Sequence, residues 1–487
     1  MKQIVIGIDG GDERILNYFD MPYFKSLREK SKSFEMKEDR WSRGWVEMYT
    51  GMHARETNAF YEMPVMDGTM RFTRKYGWHE ARENPEVKFL WDQLDEAGVR
   101  SVFMNIPTTF PAPQMKNGAF VAGAGGGLNN FSRIPEGLCS DDDTERLLTE
   151  LGYIVDLRYK TSGITELEKL FEKLDEMMLK RAECFVKTCK HQNADFGFLA
   201  FRATTIVQYI AMSEIEMLCG NQNYTDLISN PEEKERPIHA MLKKHYKNLD
   251  KALEIIFTSL NPEHYVLTAD HGCVPFLKKV NINKLLEFEG FQTTNQAGKK
   301  VKIFLWKILP KKQFQALKSI TPKKAQSLAQ GYAPSKTKAF GCANVHGIYI
   351  NDARRFNGVV EDGEELEKTV RDICEFINTN EVAQSNHITA RPYRNNYPDA
   401  FYNECLPDIW IDMPESCFPE IGPEFVSVNE QYAPILDLND VPTDVNSGQK
   451  GSDPLFIVDK ATALNFEKLN DRELTVTYDL TKKVFNL

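Results

Sequence analysis

Uninterrupted apolar runs that alternate with amphipathic helical segments constrain this chain more than any other feature. Residues 3–9, QIVIGID, form such a run, and 264–270 (HYVLTAD) holds a shorter one; 99–107 (VRSVFMNIP) reads as the next strand and 195–201 (DFGFLAF) as another buried strand. A strand that is apolar on both sides must be covered on both faces, which is the condition of a parallel sheet between helices. Between the first two runs, NPEVKFLWDQLDEAG (84–98) predicts a helix. Asn84 and Pro85 suit its first turn, Val87, Leu90, Trp91 and Leu94 share a face, and Gly98 suits the position after the C-cap. TELE (165–168) has the form of a capping box. Leu167, Leu170, Phe171 and Leu174 follow as an apolar stripe, so a long helix is expected from about Thr165 to Cys189. Another helix is expected over 240–258, and later strands at 347–351, 408–412 and 455–458. This order gives the expected fold class: α/β, a mostly parallel central sheet with helices on both faces.

A chain of 487 residues can hold one large α/β domain with insertions. Residues 1–298 and 336–487 are expected to form that core, interrupted at 299–335 by a Lys-rich helical insertion or cap. Nine lysines fall within 299–324, too dense a charge to bury unpaired. Such a segment is a solvated face, or a basic cap that draws anions toward a site. Over the whole chain 60 basic and 70 acidic residues leave a net charge of −10, which argues against dedicated nucleic-acid binding. No apolar run approaches the roughly 20 residues of a membrane span. The N-terminus enters a strand with no signal-peptide pattern, and the nine cysteines are scattered, so the expected compartment is the cytoplasm. The glycine loop AGAGGG (122–127) lacks the context of a dinucleotide site.

Chemistry is expected where strands end. In a parallel sheet the carboxyl ends of the strands converge on one edge, where ligands bind. Asp9 leaves the first strand, and Asp270 and His271 leave a much later one, in YVLTADHGC (265–273). Two carboxylates and an imidazole suit one divalent metal, Zn²⁺ or Mn²⁺. The alternative is that Asp9 caps a turn and Asp270 caps a helix.

Five blocks in order carry a resemblance: IVIGIDGGD (4–12), FLWDQLDEAGVRSVFMNIPTTFPAP (89–113), TADHGCVPFLKKVNINKLLE (268–287), KTKAFGCANVHGIYIND (336–352) and YNECLPDIWID (402–412). The chain resembles the alkaline phosphatase superfamily, in its type I phosphodiesterase/nucleotide pyrophosphatase-like branch. The resemblance implies two metals. One is held by the first-strand Asp, the Asp-His pair and a Ser or Thr nucleophile, and Asp9, Asp270 and His271 match the first three. The other is held by an Asp, a His four residues on, and a late His. Here Thr204 or Thr205 stands for that Asp and Tyr209 for the first His. Only Gln449, Lys450, Ser452 and Asp453 lie near the late one.

The nucleophile position falls on Trp41 without a gap, and Ser42 follows it; Ser42 either attacks or caps the next helix. Arg43 can clamp a phosphate, and Lys450 can put an ammonium where the second ion would sit. His346 is a candidate replacement ligand or a hydrogen-bonded structural residue. The function expected is a metal-dependent hydrolase or transferase of a phosphate ester, a phosphodiester or nucleotide, with catalytic residues Ser42, Arg43 and Lys450 and a phosphate-containing small molecule as partner. The alternative is a catalytically degenerate phosphatase-fold protein that binds an anionic or nucleotide ligand.

Overall fold

The computed structural model describes residues 1–124, 128, 133–157, 167–220, 236–293, 333–435, 438, 445–466 and 472–487. The lysine-rich segment 299–324, Thr165 of the capping sequence and residues 125–127 of the glycine loop lie outside the described residues. Contacts gather the chain into two compact units. One comprises Met1–Ala59, Lys75–Leu277 and Asn429–Leu487; the other comprises Phe60–Arg74 and Lys278–Val428. Both units draw on the residues expected to form the core, 1–298 and 336–487.

The first unit is built on a seven-stranded sheet. Gln3–Ile8 lies between Phe196–Phe201 and His264–Thr268, parallel to both. Ser101–Ile106 and Gly118–Ala122 extend the parallel array on one side. Phe456–Asp459 closes the other side antiparallel, followed by Ser31–Ser33. Gln3–Ile8, Ser101–Ile106 and Phe196–Phe201 are buried at every position, as their apolar runs require. The fold class expected from sequence is the one observed. Long helices Leu167–His191 and Pro237–Leu260 pack against each other.

One expected helix is shorter than predicted. It runs Leu90–Glu96, not from Asn84, and Trp78–Glu83 forms a separate 3-10 turn. Asn84 holds a turn of its own: its side chain accepts the Glu86 amide and donates to the Glu56 carbonyl. The C-terminal glycine does as expected, Gly98 having φ +72°.

The helix Ala203–Leu218 is kinked at Ala211. The Ser447 hydroxyl accepts the Met212 amide and donates to the Ile210 carbonyl, each at 2.9 Å, and so enters the helix's own hydrogen-bond ladder. This contact ties the strand Gly448–Gly451 to the helix, and that strand pairs antiparallel with Gly272–Pro275.

In the second unit the strands expected at 347–351 and 408–412 belong to a separate antiparallel sheet of four. Its core joins Ile348, Ile350, Ile409 and Ile411 to Ile373 and Ile377 of the helix Glu364–Thr379. A buried ion-pair network sits beside it: Arg355 contacts Asp352 and Asp408, and Arg394 contacts Asp408 at 2.9 Å. No helix among the described residues is long and apolar enough to cross a membrane.

Candidate active site

The parallel strands of the first unit end on one edge, and three side chains meet there. Ligand atoms of Asp9, Asp270 and His271 all lie within 4.8 Å of one another, and no other such group of metal-ligating residues occurs among the described residues. His271 Nε2 is 3.6 Å from Asp9 Oδ1 and 3.6 Å from Asp270 Oδ2. Its Nδ1–H donates to the Gly272 carbonyl at 2.6 Å, which leaves the Nε2 lone pair facing the two acids. The helix-cap alternative for Asp270 fails, because a strand, Gly272–Pro275, follows it. Asp9 lies in the turn after the first strand, where the Gly11 amide donates to the Ile8 carbonyl at 2.7 Å.

Electrostatics match a cation site. Burial, then the charge of Asp270, pushes the Asp9 carboxyl up to about 6. Burial also raises Asp270. Burial, then Lys450, pushes His271 down to about 3, so the ring is neutral. Two buried carboxylates that repel each other and a neutral imidazole with its lone pair turned inward are a donor set that a divalent cation would relieve and satisfy.

Arg202 is a neighbour that sequence reasoning missed. Its Nε lies 3.7 Å from Asp9 Oδ2, and its Nη1 bonds Asp156 Oδ2 at 2.6 Å. Because Ile8 pairs with Phe201, the next residues along each strand, Asp9 and Arg202, leave the sheet side by side. The signal was the position just past DFGFLAF, and only the register gave it meaning.

Tyr209 and Lys450 flank the cluster, and Thr205 lies against Gly10, the residue after Asp9. The Tyr209 ring stacks on His271, 6.3 Å between centroids and 14° between planes. Lys450 lies opposite Cys273 in the strand pair. Burial brings its ammonium down to about 8, while Asp270 and Asp9 pull the other way. Gln449 donates to the Pro275 carbonyl, and Asp453 accepts the Met36 amide. His346 lies in the second unit, its ring stacked on Trp410 and edge-on to Phe418.

Gly44, two residues past Ser42, opens the helix Gly44–Thr50 against the strand end that carries Asp270. A Cβ on Gly44 would stand 2.4 Å from the Asp270 carbonyl oxygen, and one on Gly7 would stand 2.3 Å from the Trp45 ring. Glycine at both places lets the helix start sit directly on the strand end. The helix's N-cap is Arg43, not Ser42. The Ser42 hydroxyl instead donates to Asp39 Oδ2 at 2.7 Å, and its amide donates to Asp39 Oδ1 at 2.5 Å. His53 Nε2 lies 3.2 Å from the same Asp39 Oδ2. The Arg43 guanidinium sits over Tyr76, 5.6 Å from the ring centre. Trp41 is buried in the core.

No protein-family model matches the chain, and no curated protein sequence matches it either. Solved structures do. The chain is similar to phosphonoacetate hydrolase from Sinorhizobium meliloti 1021. In the complex with phosphonoformate the TM-score is 0.53 at 13% identity, over 99% of this chain and 96% of that one. In the complex with phosphonoacetate it is 0.54 at 12% identity, over the same shares. Murine ectonucleotide pyrophosphatase/phosphodiesterase 5 aligns at 11% identity with TM-score 0.49, over 100% of this chain and 95% of that one. The chain thus shares its fold with phosphonoacetate hydrolase, an α/β fold of the class expected from sequence.

Proposed function

We propose that this protein is a metal-dependent hydrolase or transferase acting on a phosphate ester, a phosphodiester or nucleotide. The observation that carries the reading is the meeting of Asp9, Asp270 and a neutral His271 with the Lys450 ammonium beside them. Fold similarity to a phosphonoacetate hydrolase supports it. Asp9, Asp270 and His271 would hold one divalent ion, Zn²⁺ or Mn²⁺ by the oxygen and nitrogen donors available. When bound, that ion supplies Lewis-acid polarisation of a phosphoryl oxygen.

The protein's own groups do the rest. Ser42 attacks phosphorus from beside Asp270. Lys450, level with Cys273, offers a point positive charge to the oxygens that gain charge in the transition state. Arg43 and Arg202 present planar guanidinium forks to the remaining oxygens. Ser42 is 2% exposed, so its cover must open to admit an ester. The second reading, a binder with little turnover, is favoured by Thr205, Tyr209 and Lys450 standing where the resemblance calls for metal ligands.

The deciding experiment counts metal on the purified protein and measures turnover of p-nitrophenyl phosphate and bis(p-nitrophenyl) phosphate. One tightly bound divalent metal per chain with turnover of either ester is expected. One metal and tight phosphate binding without turnover would select the second reading. No bound metal at all would overturn both.

A further inference from the structure

We infer that Asp39 is a further catalytic residue of this site, the acceptor of the Ser42 hydroxyl proton, and that His53 is its positioning residue. The inference rests on the phosphoryl-transfer reading above and goes beyond it by naming where the proton goes.

The geometry is specific. Both oxygens of Asp39 are turned to the Ser42 segment. Oδ1 accepts the Trp41 amide at 2.7 Å and the Ser42 amide at 2.5 Å, while Oδ2 accepts the Ser42 hydroxyl at 2.7 Å. The same pattern of bonds joins Asp141 to Thr144 at a helix cap and Asp459 to Thr462 at the start of another helix; Asp39 differs from Asp141 and Asp459 in the His53 imidazole on its Oδ2. The hydroxyl bond fixes the one rotor that decides where the Oγ lone pairs point: with the proton held on Oδ2, they face away from Asp39. His53 holds the same Oδ2 from the other side, with Nε2 at 3.2 Å. The His53 ring is itself fixed, because its Nδ1 accepts the Arg55 amide at 3.2 Å at the start of the helix Ala54–Thr57. With Nδ1 accepting, the ring proton is on Nε2, aimed at Asp39. Behind it, Glu47 approaches His53 Nε2 to 3.9 Å and accepts the Ala54 amide. The order is therefore hydroxyl, carboxylate, imidazole, with the acid rather than the imidazole touching the nucleophile.

The step balances without any further reagent. Ser42 Oγ forms a bond to phosphorus while the bond from phosphorus to the leaving oxygen breaks, and the leaving oxygen keeps that electron pair. The Ser42 proton passes to Asp39 Oδ2, and the O–H electron pair stays on Oγ. Asp39 is a weak base at rest: burial raises its pKa, but bonds from His53 and Ser42 outweigh burial and hold it well below the usual carboxylate range. This does not obstruct a late transfer. An oxygen already bonded to phosphorus and still carrying its proton is a far stronger acid than any carboxylic acid, so the proton moves downhill once the new bond forms. Aspartate in contact with an attacking hydroxyl serves phosphoryl transfer elsewhere in the same way. In the second half, water displaces Ser42 Oγ from phosphorus, giving its proton to solvent, and Asp39 returns the stored proton to Oγ.

The test compares wild type, Ser42→Ala, Asp39→Asn, Asp39→Glu and His53→Phe, with bis(p-nitrophenyl) phosphate and p-nitrophenyl phosphate as probes. Metal content and thermal unfolding are measured on each variant. Asn keeps an oxygen for the Trp41 and Ser42 amides and replaces the hydroxyl acceptor with a donor. Asp39→Asn is expected to lower kcat roughly 10²–10⁴-fold, the usual span for a proton-transfer group. KM should change less than about threefold and metal content not at all, while Asp39→Glu recovers part of the loss. His53→Phe should lower kcat by a smaller factor and leave KM alone. If Asp39→Asn does not fold, His53→Phe decides: wild-type kcat there overturns the assignment. Wild-type kcat in a folded Asp39→Asn overturns it outright while leaving the phosphoryl-transfer reading intact. A wild-type protein that turns over neither ester overturns that reading, and the Asp39 assignment with it.

Discussion

Asp9 and Asp270 stand off the Nε2 edge of the His271 ring, each with an oxygen 3.6 Å away; stacked on the ring is Tyr209, with Thr205 one helical turn before it. Strand ends build the first side, and the helix Ala203–Leu218 carries Thr205 and Tyr209. Lys450 faces the first side, its charge acting on both Asp9 and Asp270. The first side gathers two negative charges and a lone pair. The second offers a hydroxyl, a phenol and an ammonium, which cannot compensate a dication; the ammonium repels one. The Lys450 ammonium places a fixed positive charge beside the two acids.

The largest expected effect tests the first side. Asp270→Asn removes a charged ligand and leaves His271 with one acid. Loss of a residue that merely supports a ligand costs roughly 10–100-fold in metal affinity. Loss of the ligand itself should exceed that, and the purified variant should carry no tightly bound divalent metal by elemental analysis. Retention of the wild-type metal content would mean the ion, if any, sits elsewhere.

The second test rebuilds the other side. Thr205→Asp with Tyr209→His and Lys450→His restores a carboxylate and two imidazoles at the places the resemblance implies. Metal content should rise from one to two ions per chain. A count that stays at one would show that the backbone there no longer suits a second ion, so the substitutions would follow a structural change rather than define it.

Much of this was legible in the sequence because it depended on local pattern. Asp9, Asp270 and His271 end continuous apolar runs, and a strand exit is visible without knowing the neighbours. Arg202 was not visible as a site residue, because its place beside Asp9 depends on the pairing of Ile8 with Phe201, 193 positions apart by their numbers. Asp39 and His53 lie in connecting segments with no apolar period to place them, and their meeting with Ser42 is a tertiary fact. Asn84 misled in the opposite way. Its capping chemistry was read correctly but closed a turn instead of opening a helix.

A smaller effect separates the two buried acid pairs of this unit. Asp9 and Asp270 face the charges of Lys450 and Arg202, whereas Glu38 and Glu47 are hydrogen-bonded to each other, with Asp39 and Glu473 adding negative charge to both and His53 opposing it at Glu47. Burial, partly offset by His53, pushes Glu47 up to about 7 from 4.5. The folded state thus holds the proton more tightly than the unfolded chain. Stability is fully present below about pH 4.5 and is lost as pH rises through about 7. Glu47→Gln keeps an oxygen for the Ala54 amide and removes the charge. The variant should gain stability over wild type at pH 8, by about 1–3 kcal/mol, and gain little at pH 5. Thermal unfolding at both values measures it. An equal shift at both would mean that Glu47 does not titrate between them.

The smallest expected effect concerns the ring that joins the two sides. Tyr209 lies parallel to His271 at 14°, so its contribution to the first side is the flat face of the ring. Tyr209→Phe keeps that face and deletes the only oxygen by which this residue could bind an ion. If the phenol is no ligand, metal content and metal affinity should stay within about twofold of wild type, since stacking of this kind is worth only about 0.5–1.5 kcal/mol and is retained. A tenfold or larger loss would put a phenolate in the metal shell. The second side would then be a reshaped ligand set rather than a filled one, and the contrast with Asp9, Asp270 and His271 would narrow to Lys450 and Thr205 alone.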